Sequence, residues 1–294
     1  MSHDDKHNAP DIDHVTGVET TGHEWDGIKE LNKPLPKWWL YVFYATIVWS
    51  IGYWVLYPAW PTLNGYTEGV LGHSSRKLVM EAVEENRQAQ SVWRDRIKDA
   101  DLETIRADDD LLRFALASGA AAFGDNCSGC HGRGAQGGIG YPNLNDDDWV
   151  WGGTLEAIEH TIRFGIRGAH EETRTGEMPA FGADEILEAQ QIRDVANYVL
   201  SLSGKSQDQA SAGRGQPVYE ENCASCHGDD GKGNHELGAP NLTDAIWLYG
   251  SDKEVVVDVI HRGRAGMMPA WHDRLDEVTI KSLAVYVHSL GGGQ

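Results

Sequence analysis

Cysteine is scarce in this chain, four in 294 residues. All four fall in two Cys-x-x-Cys-His motifs, which leaves no thiol for a wider disulfide framework. Basic side chains are also few, 25 against 45 acids, for a net charge of −20. A field of that sign repels nucleic acid and excludes it as a partner. Long apolar runs are nearly absent. Residues 38–60 hold no charged side chain, but the next candidate, 77–105, is too polar to be a second membrane span. Methionine is rare as well, five in all, with one at position 1.

What is present starts with those motifs, Cys127-Ser128-Gly129-Cys130-His131 and Cys223-Ala224-Ser225-Cys226-His227. The spacing is that of covalent haem c attachment. Two thiols add across the vinyl groups, and the adjacent histidine is placed to ligate the iron. A shared structural zinc would want the two pairs close in sequence, and here they lie far apart. Vicinal disulfides would leave the repeated histidine as coincidence. A thioredoxin-like motif would need a βαβ context, and the pattern shows none. The expected cofactors are therefore two covalently bound haem c groups, on Cys127, Cys130, Cys223 and Cys226, with His131 and His227 as iron ligands.

The motifs head an internal repeat. Pro142-Asn143-Leu144, Trp149, Gly165, Met178-Pro179-Ala180 and Tyr198-Val199 return as Pro240-Asn241-Leu242, Trp247, Gly263, Met268-Pro269-Ala270 and Tyr286-Val287. A unit that begins with a haem motif and ends in an apolar helix is a whole domain used twice. Met178 and Met268 stand at matching places, each before a proline that stops a helix. A thioether is a soft ligand that suits the distal side of a haem, so both are expected to bind iron. Met267 lacks a counterpart in the first copy. Trp149 and Trp247 are read either as haem-propionate donors or as packed core aromatics. His160, His170, His235, His261 and His272 have no repeat partners and are read as surface or supporting residues. The pattern resembles the class I cytochrome c domain.

The uncharged stretch is long enough to cross a bilayer, with aromatic residues at both ends, including Trp38, Trp39, Tyr57 and Trp60, as at membrane interfaces. Lys29, Lys33 and Lys37 crowd its N-terminal flank, which favours a cytoplasmic N-terminus. What is known of bacterial c-type cytochromes places haem attachment on the periplasmic side and gives the same orientation. Residues up to Lys37 contribute −4 to the net charge, leaving −16 beyond the membrane, a field that attracts a basic partner such as a soluble cytochrome c.

These readings divide the chain into a polar N-terminal segment, 1–36, without apolar periodicity and expected to be disordered or to lie along a partner, and an anchor, 37–60. A periplasmic amphipathic spacer follows at 61–108, then two cytochrome c domains at 109–204 and 205–294. Within the spacer one helix is expected over 77–105, with a break near Ala100. His3, His7, His14 and His23 in the N-terminal segment are too irregularly spaced for a metal site. The fold class is mainly α: one N-terminal transmembrane helix followed by two tandem class I cytochrome c domains. Each domain is small enough to depend on its covalent haem for a core.

The whole layout resembles the FixP/CcoP subunit of cbb3-type cytochrome c oxidase. Leu35-Pro36-x-Trp38-Trp39 before the anchor, Tyr57-Pro58-Ala59-Trp60-Pro61 at its end and Tyr141-Pro142-Asn143-Leu144 carry the likeness. The resemblance implies a single-pass protein of the bacterial inner membrane. It would take electrons from a soluble or membrane cytochrome c and relay them to a mono-haem subunit. From there they reach the catalytic haem–copper subunit, where oxygen is reduced. The chain itself would be a non-catalytic electron-entry subunit. Two other readings share the haems: a free-standing membrane-anchored dihaem cytochrome, and a dihaem peroxidase or gas sensor with an open distal site.

Overall fold

A computed structural model describes residues 11–206 and 208–293. The chain divides after Arg87 into two units, taken here in turn.

The first unit opens with an antiparallel hairpin, β1 (Thr20–Trp25) and β2 (Ile28–Leu31), in register Trp25 to Ile28 and Glu24 to Lys29. Asp26 and Gly27 make the turn with φ of 50° and 86°. An Asp-Gly pair accepts that left-handed backbone, and it is the local signal for a two-residue hairpin. The expectation of a segment without structure is corrected over these residues. His3 and His7 lie outside the described residues. Helix α1 (Lys37–Leu56) is the apolar stretch, and it is long and apolar enough to cross a membrane. It stops where Pro58 denies the next turn its N–H. A second hairpin, β3 (Pro61–Thr62) and β4 (Gly65–Tyr66), precedes α2 (Ser75–Ala89).

The second unit holds ten helices among the described residues: α3 (Ser91–Asp99), α4 (Leu102–Ala107), α5 (Asp109–Asn126), α6 (Ser128–His131), α7 (Leu155–Phe164), α8 (Ala189–Leu202), α9 (Gln209–Asn222), α10 (Ala224–His227), α11 (Lys253–Arg262) and α12 (Glu277–His288). The helix expected over 77–105 runs as α2, α3 and the start of α4. The expected break falls at Ala100, and a second comes at Gln90, which has helical dihedrals but sits at the cap. Nor is its second half a spacer. Ile97, Leu102 and Ile105 are buried in a hydrophobic core, and α3 packs on α5 and α12.

The described residues form two such cores, and they do not follow chain order. Core A joins α3, α4, α5 and α7 to α12, the last helix of the chain. Core B joins α8 to α9 and α11. The helix that closes the first sequence repeat therefore packs on the second haem motif's helix, and the reverse. Aromatic pairs repeat the exchange: Phe123 meets Tyr286 with ring centroids 5.6 Å apart, and Tyr219 meets Tyr198 at 5.1 Å. Glycines permit both crossings. A Cβ on Gly119 would strike the Ser282 carbonyl, and one on Gly215 the Asp194 carbonyl. Core B is thus a continuous stretch, roughly Met178 to Arg264, nested between α7 and α12 of core A.

Candidate functional site

Each Cys-x-x-Cys-His motif lies at the end of a helix. Asp108 caps α5, its carboxylate accepting from the backbone N–H groups of Asp110 and Leu111 at 3.0 Å. At the far end α5 runs into Cys127, and α6 continues as one turn in which the His131 N–H donates to the Cys127 carbonyl at 3.0 Å. One turn brings positions i, i+3 and i+4 to the same face, so both sulfurs and the imidazole point one way. Core B repeats this with α9, Cys223 and α10, where the His227 N–H donates to the Cys223 carbonyl at 2.9 Å. Gly132 and Gly228, with φ of 81° and 80°, then turn the chain.

The turn lets the following loop come back over the histidine. Nδ1 of His131 lies 3.1 Å from the Pro142 carbonyl oxygen, and Nδ1 of His227 lies 3.0 Å from that of Pro240. A carbonyl can only accept, so Nδ1 carries the proton and Nε2 keeps its lone pair. That is the tautomer and orientation a metal-bound histidine needs. Burial lowers the pKa of both imidazoles, with the carbonyl bond opposing it, so they stand neutral. None of the four cysteines is in a disulfide. Burial raises the pKa of Cys127 and Cys223 to about 11, with the neighbouring thiol adding to it.

The methionines are placed by two crossing loops. Ile166 and Met268 exchange backbone hydrogen bonds at 2.9 and 3.0 Å, and Met178 and Arg264 do so at 3.0 and 3.1 Å. Gly165 and Gly263, both at positive φ, lie against the carbonyls of Met268 and Met178, where a Cβ would collide. Met268 consequently packs on core A, as Cys127 does, and Met178 on core B, as Cys223 does. Within the repeat each methionine follows the other motif's partner, so chain order alone pairs them differently. Arg167 ties the crossing together. Its guanidinium donates to the Gly266 carbonyl at 2.6 Å and to the Gly176 carbonyl, one in each loop. Nothing in the repeat singles out Arg167, since position 265 of the second copy is alanine.

The two tryptophans differ. Trp149 donates its indole N–H to the Gly292 carbonyl. Trp247 Nε1 is buried without a partner, with Lys205 over its ring at 5.3 Å. A buried indole N–H without an acceptor is costly, and a haem propionate is an acceptor of suitable chemistry. Of the unrepeated histidines, His160, His170 and His272 gather around Phe164 with ring centroids 4.5–6.1 Å apart. The donor set fits a covalently held haem in each core: two thiols, an oriented neutral imidazole and a thioether. The two cysteine pairs sit in separate cores, which leaves no common zinc site.

Residues 17–64 match the family model "N-terminal domain of cytochrome oxidase-cbb3, FixP". Residues 114–199 and 210–287 match "Cytochrome C oxidase, cbb3-type, subunit III". The chain is 54% identical to a cbb3-type cytochrome c oxidase subunit FixP of Bradyrhizobium sp. (strain ORS 278), over 97% of this chain and 98% of that one. It is 52% identical to subunit CcoP of Cereibacter sphaeroides, over 94% and 95%, and 50% identical to a FixP of Rhizobium meliloti, over 99% of each. With its N-terminal segment, membrane helix and both haem-motif repeats matched over nearly their whole length, the chain belongs to the FixP/CcoP family of cbb3-type cytochrome c oxidase subunits.

Proposed function

We propose that this chain is the dihaem electron-entry subunit of a cbb3-type oxidase, with one haem c in each core and exchanged distal ligands. Cys127 and Cys130 hold the first haem, with His131 and Met268 as iron ligands. Cys223 and Cys226 hold the second, with His227 and Met178. The observation that carries this is the pairing of the two Met-Pro loops, which sets each methionine in the core of the other repeat's cysteines.

The bound haem supplies one-electron exchange. The protein's part is to hold the same two ligands in both redox states, so that little needs to rearrange. The Pro142 and Pro240 carbonyls fix the imidazoles and make them better donors. The thioethers favour the reduced state and raise the potential. Trp247 would donate its indole N–H to a propionate of the bound haem. The loops bearing Met178 and Met268 share Arg167 and lie against Gly263 and Gly165, so the two loops meet at one junction, which would suit transfer between the haems.

Lys37–Leu56 anchors the subunit in the bacterial inner membrane, N-terminus in the cytoplasm and both cores in the periplasm. The acidic surface attracts a basic cytochrome c donor. Electrons pass onward to the mono-haem and haem–copper subunits, which carry out oxygen reduction.

The crossed ligation is tested in a full-length variant that keeps only the first haem, C223A/C226A. There M268L is expected to lower the remaining haem's potential and open it to carbon monoxide, and M178L to do neither. The reverse result would reject the exchange. Purification of the tagged chain from membranes tests the assignment to the oxidase. Co-purifying haem b, copper and cytochrome-c-dependent oxygen uptake are expected, and covalent haem c alone would reject it.

A further inference from the structure

Among the described residues, helix α2 is the one long helix outside the membrane span that buries no residue of its own. Isolated helices of about 12–15 residues are marginal in water, so α2 requires a surface. At about 3.6 residues per turn, Leu78, Val79, Ala82 and Val83 share an arc of about 140°. Leu78, Val79 and Val83 are each about half or more exposed. Lys77 and Glu81 lie on the opposite side, joined by a salt bridge of 3.7 Å, while Arg76 and Arg87 both lie along one edge of the apolar arc.

The chain before α2 says what that surface is. After α1 it folds straight back: the N–H groups of Val70 and Leu71 donate to the Val55 and Leu56 carbonyls at 2.9 and 3.1 Å. Those are carbonyls of the span's last turn, which otherwise have no partner in the helix. Gly69, with φ of 74°, lies so close to the end of α1 that a Cβ would sit 2.5 Å from the Leu56 carbonyl oxygen. The Tyr57 and His73 rings meet edge-on at 5.2 Å. Ser75 therefore starts α2 within a few residues of where the chain leaves the bilayer. The link carries exposed apolar side chains of its own, Trp60, Leu63, Tyr66, Val70 and Leu71.

We propose that α2 lies flat in the outer membrane–water interface, with Leu78, Val79, Ala82 and Val83 among the acyl chains and Arg76 and Arg87 reaching to the phosphates. The occupant of its apolar face is lipid, by continuity with the span to which its start is tied. An interfacial helix has this profile: amphipathic, low in overall hydrophobicity, with basic residues at the edge of the apolar face. Arg76, Lys77 and Arg87 balance Glu81, Glu84 and Glu85 in number. The contact therefore does not depend on anionic lipid, and salt does not weaken it.

The proposal rests on Lys37–Leu56 being the membrane anchor, and the test separates the two. Full-length haem-loaded chain is placed in phosphatidylcholine nanodiscs, with a nitroxide on a keto amino acid at position 48, 77, 79, 81 or 83 in turn. Accessibility to oxygen is compared with accessibility to a neutral nickel chelate. Positions 79 and 83 are expected to show an oxygen-to-nickel ratio several-fold above that of 77 and 81, and similar to that of 48. If 48 reads as lipid while 79 and 83 read as water, the inference fails and the anchor stands. If 79 and 83 are shielded from both reagents, the cover is protein, and the inference fails in that way. A water-exposed 48 removes the anchor and the inference together.

Discussion

Core A and core B are built on one plan and held by different joints. In both, a closing helix with the same apolar face crosses the helix that delivers a Cys-x-x-Cys-His motif, and a glycine sits at the crossing. In core B the joint is polar. The carboxylate of Asp194 on α8 accepts from the guanidinium of Arg214 on α9 at 2.7 and 3.1 Å and from the Ser211 hydroxyl at 2.6 Å. Asn197 donates to the same hydroxyl at 2.9 Å. The equivalent of Asp194 in core A is Ser282, fully buried, its hydroxyl without a partner. Core A is joined at its outer side instead. Lys281 on α12 donates to the carbonyls of Lys98 and Ala100 at 2.8 Å, and Asp276 meets Arg94 at 2.7 Å. A duplicated domain has kept its apolar packing and replaced its polar contacts, and the polar contacts are what tell the two closing helices apart.

The largest test of that comparison is to cut the chain. A fragment of residues 176–266 contains all of core B and both ends of its loop pairing. It is expected to fold cooperatively around one haem, whereas 205–294, the second sequence repeat, should not. Circular dichroism melts and haem staining of the two fragments decide it. A native 205–294 alongside an unfolded 176–266 would reject the exchanged cores.

Next in size is the joint itself. Asp194→Ala leaves Arg214 and the buried Ser211 without their acceptor and is expected to cost about 2 kcal/mol, less than for a fully buried pair because Arg214 is over half exposed. Ser282→Ala removes a buried hydroxyl without a partner, so it is expected to be neutral or to stabilise by up to about 1 kcal/mol. The two effects should have opposite sign in chemical denaturation of the haem-loaded chain. Bonding from Arg214, and then from Ser211, holds the Asp194 carboxyl below its usual range against its burial. That stability is present above the ordinary carboxylate pKa and is lost as pH falls through the lowered one. Asp194→Ala should therefore weaken acid sensitivity.

The smallest effect concerns the loop before the tryptophans. The first repeat reads Asp146-Asp147-Asp148-Trp149, and the second reads Asp244-Ala245-Ile246-Trp247. Burial, then the charges of Asp244 and its own neighbours, raises the pKa of Asp148 to about 6. A carboxyl with a raised folded pKa favours folding while protonated. Stability falls as pH rises from the ordinary value through about 6 and stays lowered above it. Asp148→Asn is expected to remove that fall and to stabilise the chain at neutral pH by about 1 kcal/mol after solvent screening. Melting temperatures at pH 5 and 7.5 check it, and an unchanged difference between the two would reject the burial argument.

Much of the site could be read from residue order. The motif spacing, the proline that stops the chain after each methionine and the uncharged aromatic-ended stretch are local, and local chemistry decides them. The hairpin at Thr20–Leu31 was legible too, in Asp26-Gly27, though its polar flanks hid it. The amphipathic stretch before the first haem motif is different. Ile97, Leu102 and Ile105 show a helix with one apolar face, but the surface that face meets is α5 and α12, the latter drawn from the far end of the chain.

By itself the sequence determined two Cys-x-x-Cys-His repeats, the residue types each carries and one helix apolar enough to cross a membrane, because each depends on residues near one another in the chain. Only the tertiary structure decided which closing helix and which methionine pack in the same core as which motif. The two closing helices carry the same Tyr-Val-x-Ser-Leu ending and the two loops the same Met-Pro-Ala. Apolar pattern is therefore degenerate between them, since burial has no direction and accepts either partner. The choice falls to the contacts that do not repeat, Asp194 with Arg214, Lys281 with the end of α3, and Arg167 across both loops. Hydrogen bonds need particular partners at particular distances, and those partners meet only once the chain has folded.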